Sequence, residues 1–193
     1  MTMPFDAMSE PDDDTLMARY AAGDPRVAAM LAARHLGRVH GLAARMLGDP
    51  TEAEDVAQEA MLRLWRAAPT WQPGRAQLST WLYRVTVNLC IDRRRKGRRD
   101  MPLEAAGEPA DPAPRAEARL IAADTARQAA DALGSLPARQ RAAILLRHVE
   151  GLGNPAIATA LGTSTEAVES LLARGRRALA AALGRSGGSH AEE

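Results

Sequence analysis

The chain has 193 residues, 46% hydrophobic, 25% charged and 3% aromatic, which excludes disorder throughout and leaves room for one domain or two small ones. Its formal net charge of +1 conceals segregation, with acidic residues gathered before Arg19 and basic ones after position 90, so separate surfaces matter more than the sum. The lone Cys90 excludes an intramolecular disulfide, no apolar run approaches the roughly 18 residues of a membrane span, and the acidic N-terminus predicts no signal peptide; a cytoplasmic protein is expected.

Residues 1–14, with Pro4, Pro11 and the run Asp12-Asp13-Asp14, are expected to be disordered. A helix is predicted from Asp13 or Asp14 to near Gly23. Asp24-Pro25 then opens a second, carrying Val27, Met30, Leu31, Leu36, Val39, Leu42 and Met46 on its apolar side and closed by Gly48. Gly37 and Gly41 in it either permit close helix contact or simply weaken the helix.

The stretch from Asp49 to Arg99 carries most of the information. Asp49 caps a third helix, Pro50 sits where a missing N–H costs nothing, and Glu52 has capping-box spacing. Ala53, Val56, Ala57, Ala60, Leu64 and Ala67 share its core face. Asp55, Gln58, Glu59, Leu62 and Arg66 lie opposite, with Trp65 at the edge. Either Trp65 packs sideways into its own domain, or this face is a partner surface with an apolar centre and a carboxylate rim facing a basic protein.

After a loop rich in Trp, Pro and Gly, a fourth helix is predicted from about Leu78 to Lys96, with Leu78, Leu82, Val85 and Leu89 as core stripe. Thr80, Arg84, Asn88, Ile91 and Arg95 form a neighbouring stripe that runs into Arg93, Arg94, Lys96, Arg98 and Arg99. Donors and amides on one rigid face, next to Trp71 and Trp81, suit a nucleic-acid backbone, base edges and stacked unpaired bases. A charge run alone is usually just a solvated face.

Residues 100–116, DMPLEAAGEPADPAPRA, read as a semi-flexible linker that proline keeps from forming a continuous helix. Beyond it Leu120, Ala123, Ala126, Ala130 and Leu133 fit one helix, stopped by Gly134. Another begins at Ser135-Leu136-Pro137, with Ile144, Leu145 and Val149 apolar and Gly151 at its end. A short helix from Asn154, a turn at Gly162, an N-cap at Ser164 and a long final helix make a helix-turn-helix. In that last helix Val168, Leu171, Leu172, Gly175 and Leu179 face inward. Glu166, Ser170, Ala173, Arg174 and Arg177 face out, flanked by Glu169 and Arg176, where Glu169 either accepts from a cytosine amine or pairs with Arg176 on the helix surface. Strand signals are nearly absent, since Val85-Thr86-Val87 lies inside a helical period, so the fold is all-α, with two small helical domains.

The segments DPTEAEDVAQEAMLRLWR and WLYRVTVNLCIDRRRK together resemble region 2 of the bacterial sigma-70 family, in particular its extracytoplasmic-function (ECF) group. LPARQRAAILLRHVEGLGNPAIATALGTSTEAVESLLARGRRAL is similar to region 4 of the same family. The resemblance implies a disordered acidic segment (1–14), region 2 (15–99), a linker (100–116), region 4 (117–184) and a disordered tail (185–193). It implies an RNA polymerase sigma factor that directs promoter recognition, DNA melting and initiation at a particular regulon, with no catalysis and no cofactor of its own.

On that reading Asp55, Gln58, Glu59, Leu62 and Trp65 dock on the clamp helices of the polymerase β′ subunit, with a further contact to the β flap. Trp71, Arg75, Gln77, Thr80, Trp81, Arg84, Asn88, Ile91 and Arg95 open and read the −10 element. Thr165, Glu166, Glu169, Ser170, Ala173, Arg174 and Arg177 serve the −35 element. The family also implies an anti-sigma factor as partner. Gly153 and Pro155 stand where the family more often has a polar residue and Glu or Asp. Gly175 replaces a common Ala and is expected to weaken an interior turn by up to about 1 kcal/mol.

Two rivals make different predictions. A free-standing helix-turn-helix regulator binds duplex without polymerase and leaves the face around Leu62 unexplained. A DNA-processing enzyme needs chemistry that His35, His40, His148 and His190 do not supply, because they lack metal-ligand spacing and no Ser/His/Asp set or glycine-rich phosphate loop accompanies them.

Overall fold

The computed structural model describes residues 10–100 and 117–187, with side chains over 10–96 and 125–184. Its regular elements are all helical: α1 Asp13–Ala21, α2 Arg26–Leu47, α3 Pro50–Ala67, a 3-10 turn Ala68–Thr70, α4 Leu78–Asp100, α5 Glu117–Ser135, α6 Ala138–His148, α7 Asn154–Leu161 and α8 Thr165–Gly187. No described helix is long and apolar enough to cross a membrane.

Carboxylates stand at the starts of α1, α2 and α3. Asp12 Oδ1 accepts the Thr15 N–H at 2.7 Å, and Asp49 Oδ1 accepts those of Thr51 and Glu52 at 2.8 and 3.1 Å. Each cap is worth about 1 kcal/mol. Asp24 accepts the Arg26 N–H at 3.1 Å, and the guanidinium groups of Arg19 and Arg26 hold its pKa down to about 2. Gly48 and Gly162 end α2 and α7 in the left-handed region, at φ 77° and 59°.

Several expectations are corrected at the edges. Residues 10–14 are not loose: Asp12 caps α1, Asp13 receives Arg34 at 3.1 Å and His35 at 2.8 Å, and Asp14 holds the loop before α4. The final helix continues to Gly187, into the segment expected to be tail. The rest of the expected N-terminal, linker and tail segments (1–9, 101–116 and 188–193) lies outside the described residues. Glu52 does not close a capping box, because Arg93 Nη1 takes its carboxylate at 2.6 Å. Gly37 makes no close approach, and Gly41 meets only the end of Arg45, so the two glycines soften α2 rather than seat a neighbour.

The first core gathers Leu16 and Met17 of α1, Val27, Leu31 and Val39 of α2, Ala57, Ala60, Met61 and Leu64 of α3, and Leu78 and Leu82 of α4, while Ala53 and Val56 of α3 belong to the second. The second joins the two halves of the chain. Leu42 and Met46 of α2 and Tyr83, Val87 and Cys90 of α4 pack with Leu145 and Leu146 of α6, Ile157 and Leu161 of α7, and Val168 and Leu172 of α8. Val85 and Leu89, expected at the centre of the α4 core stripe, are only half-buried, since α7 draws the buried face toward Tyr83, Val87 and Cys90. Val149, placed on the apolar side of its helix, is instead 48% exposed, because α6 ends at His148 and the chain turns outward.

Polar contacts fasten the same junction. Tyr83 donates to Glu150 at 2.5 Å, and burial, with that carboxylate beside it, pushes the tyrosine pKa up to about 12. Arg141, 2% exposed, donates to the Met46 carbonyl at 2.5 Å and to the Gly134 carbonyl across the α5 terminus. Burial likewise raises Cys90 to about 12, which keeps it a protonated packing residue rather than a nucleophile.

Gly175 acquires a reason. A Cβ there would lie 2.9 Å from Cγ1 of Ile144, so the glycine lets α8 lie against α6. Gly175→Ala gains about 1 kcal/mol of helix propensity but forces overpacking that typically costs roughly 1–3 kcal/mol. We expect a net loss of about 1 kcal/mol by chemical denaturation; a variant more stable than wild type would show that α6 gives way freely.

Candidate functional site

The exposed face of α3 centres on Leu62, 47% exposed. Asp55, Gln58 and Glu59 line the same shallow cavity of 420 Å³, together with Arg63, Leu89 and Arg93. Each flanking carboxylate has a replaceable cation. Arg93 reaches Asp55 at 3.3 Å, and Arg63 reaches Glu59 at 2.9 Å and holds its pKa below the usual glutamate value. Exposed pairs of this kind are worth roughly 0–1 kcal/mol, so exchanging them for other cations costs little. Trp65 stands apart: it is half-buried, its ring 4.9 Å from that of Tyr20 and packed on the first core. The domain-packing alternative for this residue describes its position, and the exposed apolar centre is Leu62, with the half-buried Leu89 beside it.

The loop before α4 is built from its sequence. Pro73 and Gly74 occupy the middle of a turn closed by the Arg75 N–H on the Gln72 carbonyl, and Gly74 takes φ 75°, as a type II turn requires. The turn sets Trp71 edge-on to Trp81, with ring centroids 6.0 Å apart. These rings, with Arg75, Thr80 and Arg84, line a cavity of 430 Å³, within the roughly 300–1,000 Å³ of ordinary ligand pockets. Its wall combines the two indoles and small alanines with Thr70, Gln72 and Thr80, and Arg75 and Arg84 are exposed at it, a surface on which a planar, anionically tethered group can stack.

Not all of the predicted stripe meets there. Thr80 is 5% exposed and contributes wall rather than reach. Gln77 opens onto a neighbouring cavity beside Asp14 and Gly74. Asn88 is exposed one turn beyond Arg84, whereas Ile91 and Arg95 line a separate cavity with Arg94 and Leu136. Two contributors were absent from the sequence expectation. Thr159 of α7 closes one side of the aromatic cavity, and Asp14 accepts from Trp71 Nε1 at 2.7 Å and from the Gly74 N–H at 2.9 Å. Only a tertiary fold can bring a residue of α7 to this loop; Asp14 offered one signal, its place among three successive carboxylates of which a helix needs one for its cap.

At the far end Ser164 Oγ accepts the Ala167 N–H at 3.2 Å and starts α8 after the Gly162 turn. Glu166, Glu169, Ser170, Ala173, Arg174 and Arg177 are all exposed on the first turns of that helix, and Thr165 is half-buried at its start. Arg174 lies back along the helix, its Nε on the Ser170 carbonyl at 3.2 Å. Among the described residues no ion pair joins Glu169 to Arg176, and the Glu169 side chain is exposed.

Comparison with known proteins gives these surfaces a common context. Residues 31–100 match the family model for sigma-70 region 2 and residues 126–179 that for sigma-70 region 4. The ECF RNA polymerase sigma factor SigM of Mycobacterium tuberculosis is 35% identical over 182 residues, covering 93% of this chain and 89% of that protein. SigE of Mycolicibacterium smegmatis is 39% identical over 155 residues, 77% of this chain but 58% of that longer protein. The solved structure of CnrH in complex with the cytosolic domain of CnrY superposes with a TM-score of 0.66 at 32% identity, over 90% of this chain and 97% of CnrH.

Proposed function

We propose how this chain, which belongs to the ECF group of the sigma-70 family of RNA polymerase sigma factors, divides promoter recognition among its surfaces. Polymerase supplies all the chemistry. Residues 15–99 act as region 2 and 117–184 as region 4, joined through 100–116. The α3 face of Asp55, Gln58, Glu59 and Leu62 docks on the β′ clamp helices, with Trp65 supporting it from behind and region 4 meeting the β flap. The observation that carries the reading is the cavity uniting Trp71, Arg75, Trp81 and Arg84 with Asn88 exposed beside it.

An unpaired base of the −10 element exchanges its stack in the duplex for that cavity, worth roughly 1–3 kcal/mol per base, while Asn88 reads an edge. Melted DNA is thus trapped rather than driven apart. Because Thr159 walls the same cavity, entry of a strand displaces α7, consistent with region 4 binding its own element some distance upstream. Glu166, Glu169, Ser170, Ala173 and Arg174 face the major groove of the −35 element, with Thr165 and Arg177 at its phosphates. A regulatory partner comparable to CnrY on CnrH, an anti-sigma factor, covers these faces when transcription is off.

Transcription in vitro with core polymerase over a randomised promoter library tests the whole. Start-site selection with defined −10 and −35 preferences is expected, and duplex binding that needs no polymerase would favour a free-standing regulator instead. Arg174→Ala with Arg177→Ala should weaken holoenzyme binding to the selected promoter and flatten its salt dependence. The slope of log K against log salt should become shallower by about 0.9 for every phosphate these side chains no longer neutralise. An unchanged slope would place both arginines away from the backbone.

A further inference from the structure

We propose that Asp14 is a positioning residue for −10 recognition: its carboxylate, carried on α1, sets the Trp71–Gly74 loop in its base-capturing conformation. This rests on the assignment of the aromatic cavity to the −10 element. Asp14 lies 57 and 60 positions from the two donors it holds, Trp71 Nε1 at 2.7 Å and the Gly74 N–H at 2.9 Å. Among the described residues, the other hydrogen bonds of the 71–76 segment close within it or onto the preceding 3-10 turn: Trp71 N–H to Ala68, Arg75 N–H to Gln72, and Arg75 Nη1 to the Gln72 side chain. The two bonds to Asp14 are therefore the hydrogen bonds that refer the loop to the rest of the fold, beside the packing of the Trp71 ring on the first core and against Trp81. Gly74 itself has nothing within 4 Å of its Cβ position, so packing does not locate the tip.

The strut behind Asp14 is rigid. Leu16 and Met17, close after it in α1, are fully buried in the first core. The adjacent Asp13 is fixed to α2 by Arg34 at 3.1 Å and His35 at 2.8 Å. Both bonds to Asp14 are charge-assisted, the stronger kind, and one of them locks the indole plane whose edge meets Trp81. A preset ring costs less ordering when the base arrives, which is how a residue that touches no DNA acts on opening.

The test uses the full chain with core polymerase on one selected promoter. Asp14→Ala should lower the rate of open-complex formation roughly tenfold, the worth of a charge-assisted bond, with core affinity unchanged. Asp14→Asn, which keeps one acceptor, should fall between Ala and wild type. Trp71→Phe removes the indole donor and keeps a ring, so its effect on opening should be strongly non-additive with Asp14→Ala. In protein labelled with ¹⁵N-tryptophan, one indole N–H resonance should shift upfield in Asp14→Ala and the other two should stay. Normal opening by Asp14→Ala while Asn88→Ala opens poorly would overturn the role of Asp14 and leave the −10 surface in place. Additive Asp14 and Trp71 effects, or equal loss of melting temperature and opening, would make Asp14 a mere structural cap. Normal opening by Asp14→Ala, Trp71→Phe and Asn88→Ala alike would remove the −10 surface itself, and the positioning role with it.

Discussion

Asp55→Arg combined with Leu62→Ala is expected to abolish binding to core polymerase while leaving helix content and melting temperature close to wild type. The fold loses little. The Asp55 side chain is 58% exposed, its pair with Arg93 spans 3.3 Å, and Arg93 keeps Glu52 at 2.6 Å when Asp55 goes. Leu62 is 47% exposed and leaves no cavity when shortened. The partner loses much more. Truncating the exposed apolar centre of a docking face costs about 2 kcal/mol, and reversing a rim carboxylate sets like charges against a basic partner at a cost of several more. Together they raise Kd by at least about a thousandfold. Titration of labelled protein with core polymerase reads the affinity and circular dichroism reads the fold. Wild-type affinity in the double variant would remove the α3 face from the docking assignment.

How much of this could be read from the sequence depends on whether the controlling interaction is local. Asp49-Pro50, Gly48, Gly162 and Ser164 start or stop helices through backbone geometry within a few residues, and those boundaries were legible. The small face of α3 was legible too, because a 3.6-residue period needs no knowledge of what it packs against. The α4 stripe was only half legible. Tyr83, Val87 and Cys90 repeat at helical spacing as clearly as Leu78 and Leu82 do, yet a period cannot say that a second core, shared with α6 and α7, will claim them. Gly175 misled for a related reason. Its helix propensity is a property of the residue, whereas its fit against Ile144 is a property of the pair.

The candidate site divides in the same way. Trp71, Arg75, Trp81 and Arg84 could be grouped because a short loop and one helix carry them all. Asp14 and Thr159 come from elements far away in sequence, and the packing of α1 and α7 brings them to the same loop. The three successive aspartates illustrate the difficulty: one caps α1, one binds Arg34 and His35, one holds the loop, and in sequence they are the same residue type in a row.

Arg141 is where the largest loss of stability is expected: about 4 kcal/mol for Arg141→Ala and about 2 kcal/mol for Arg141→Met. The residue is 2% exposed and no carboxylate pairs with it among the described residues; its acceptors are the carbonyls of Met46, at 2.5 Å, Gly134, and Leu136, at 3.4 Å. Those carbonyls sit where α2 and α5 run out of intrahelical donors, so a cation there meets the negative ends of two helix dipoles. Burial, aided by the charge of Arg94, pushes the Arg141 pKa down to about 10, so the protein holds the charge at a cost that the carbonyl bonds must offset. Methionine removes that cost and fills most of the volume, but takes the donor from the Gly134 and Leu136 carbonyls and leaves the Met46 carbonyl only Arg94, at 3.4 Å; alanine adds a cavity.

The sign of the pH dependence follows. A base whose folded pKa lies below its unfolded value is penalised while charged, and the penalty lifts only as pH climbs through about 10. Between roughly pH 6 and 9 both states carry the proton, so the gap between wild type and Arg141→Met should be flat there, and wild type should gain on the variant above that range. Because the Met46 bond crosses between the two halves of the chain and the other two stay within the second, hydrogen exchange should rise at the ends of α2 and α5 together. Faster exchange at α5 alone would mean that Arg141 serves only its own half, and that Tyr83 with Glu150 and the shared apolar core hold the junction.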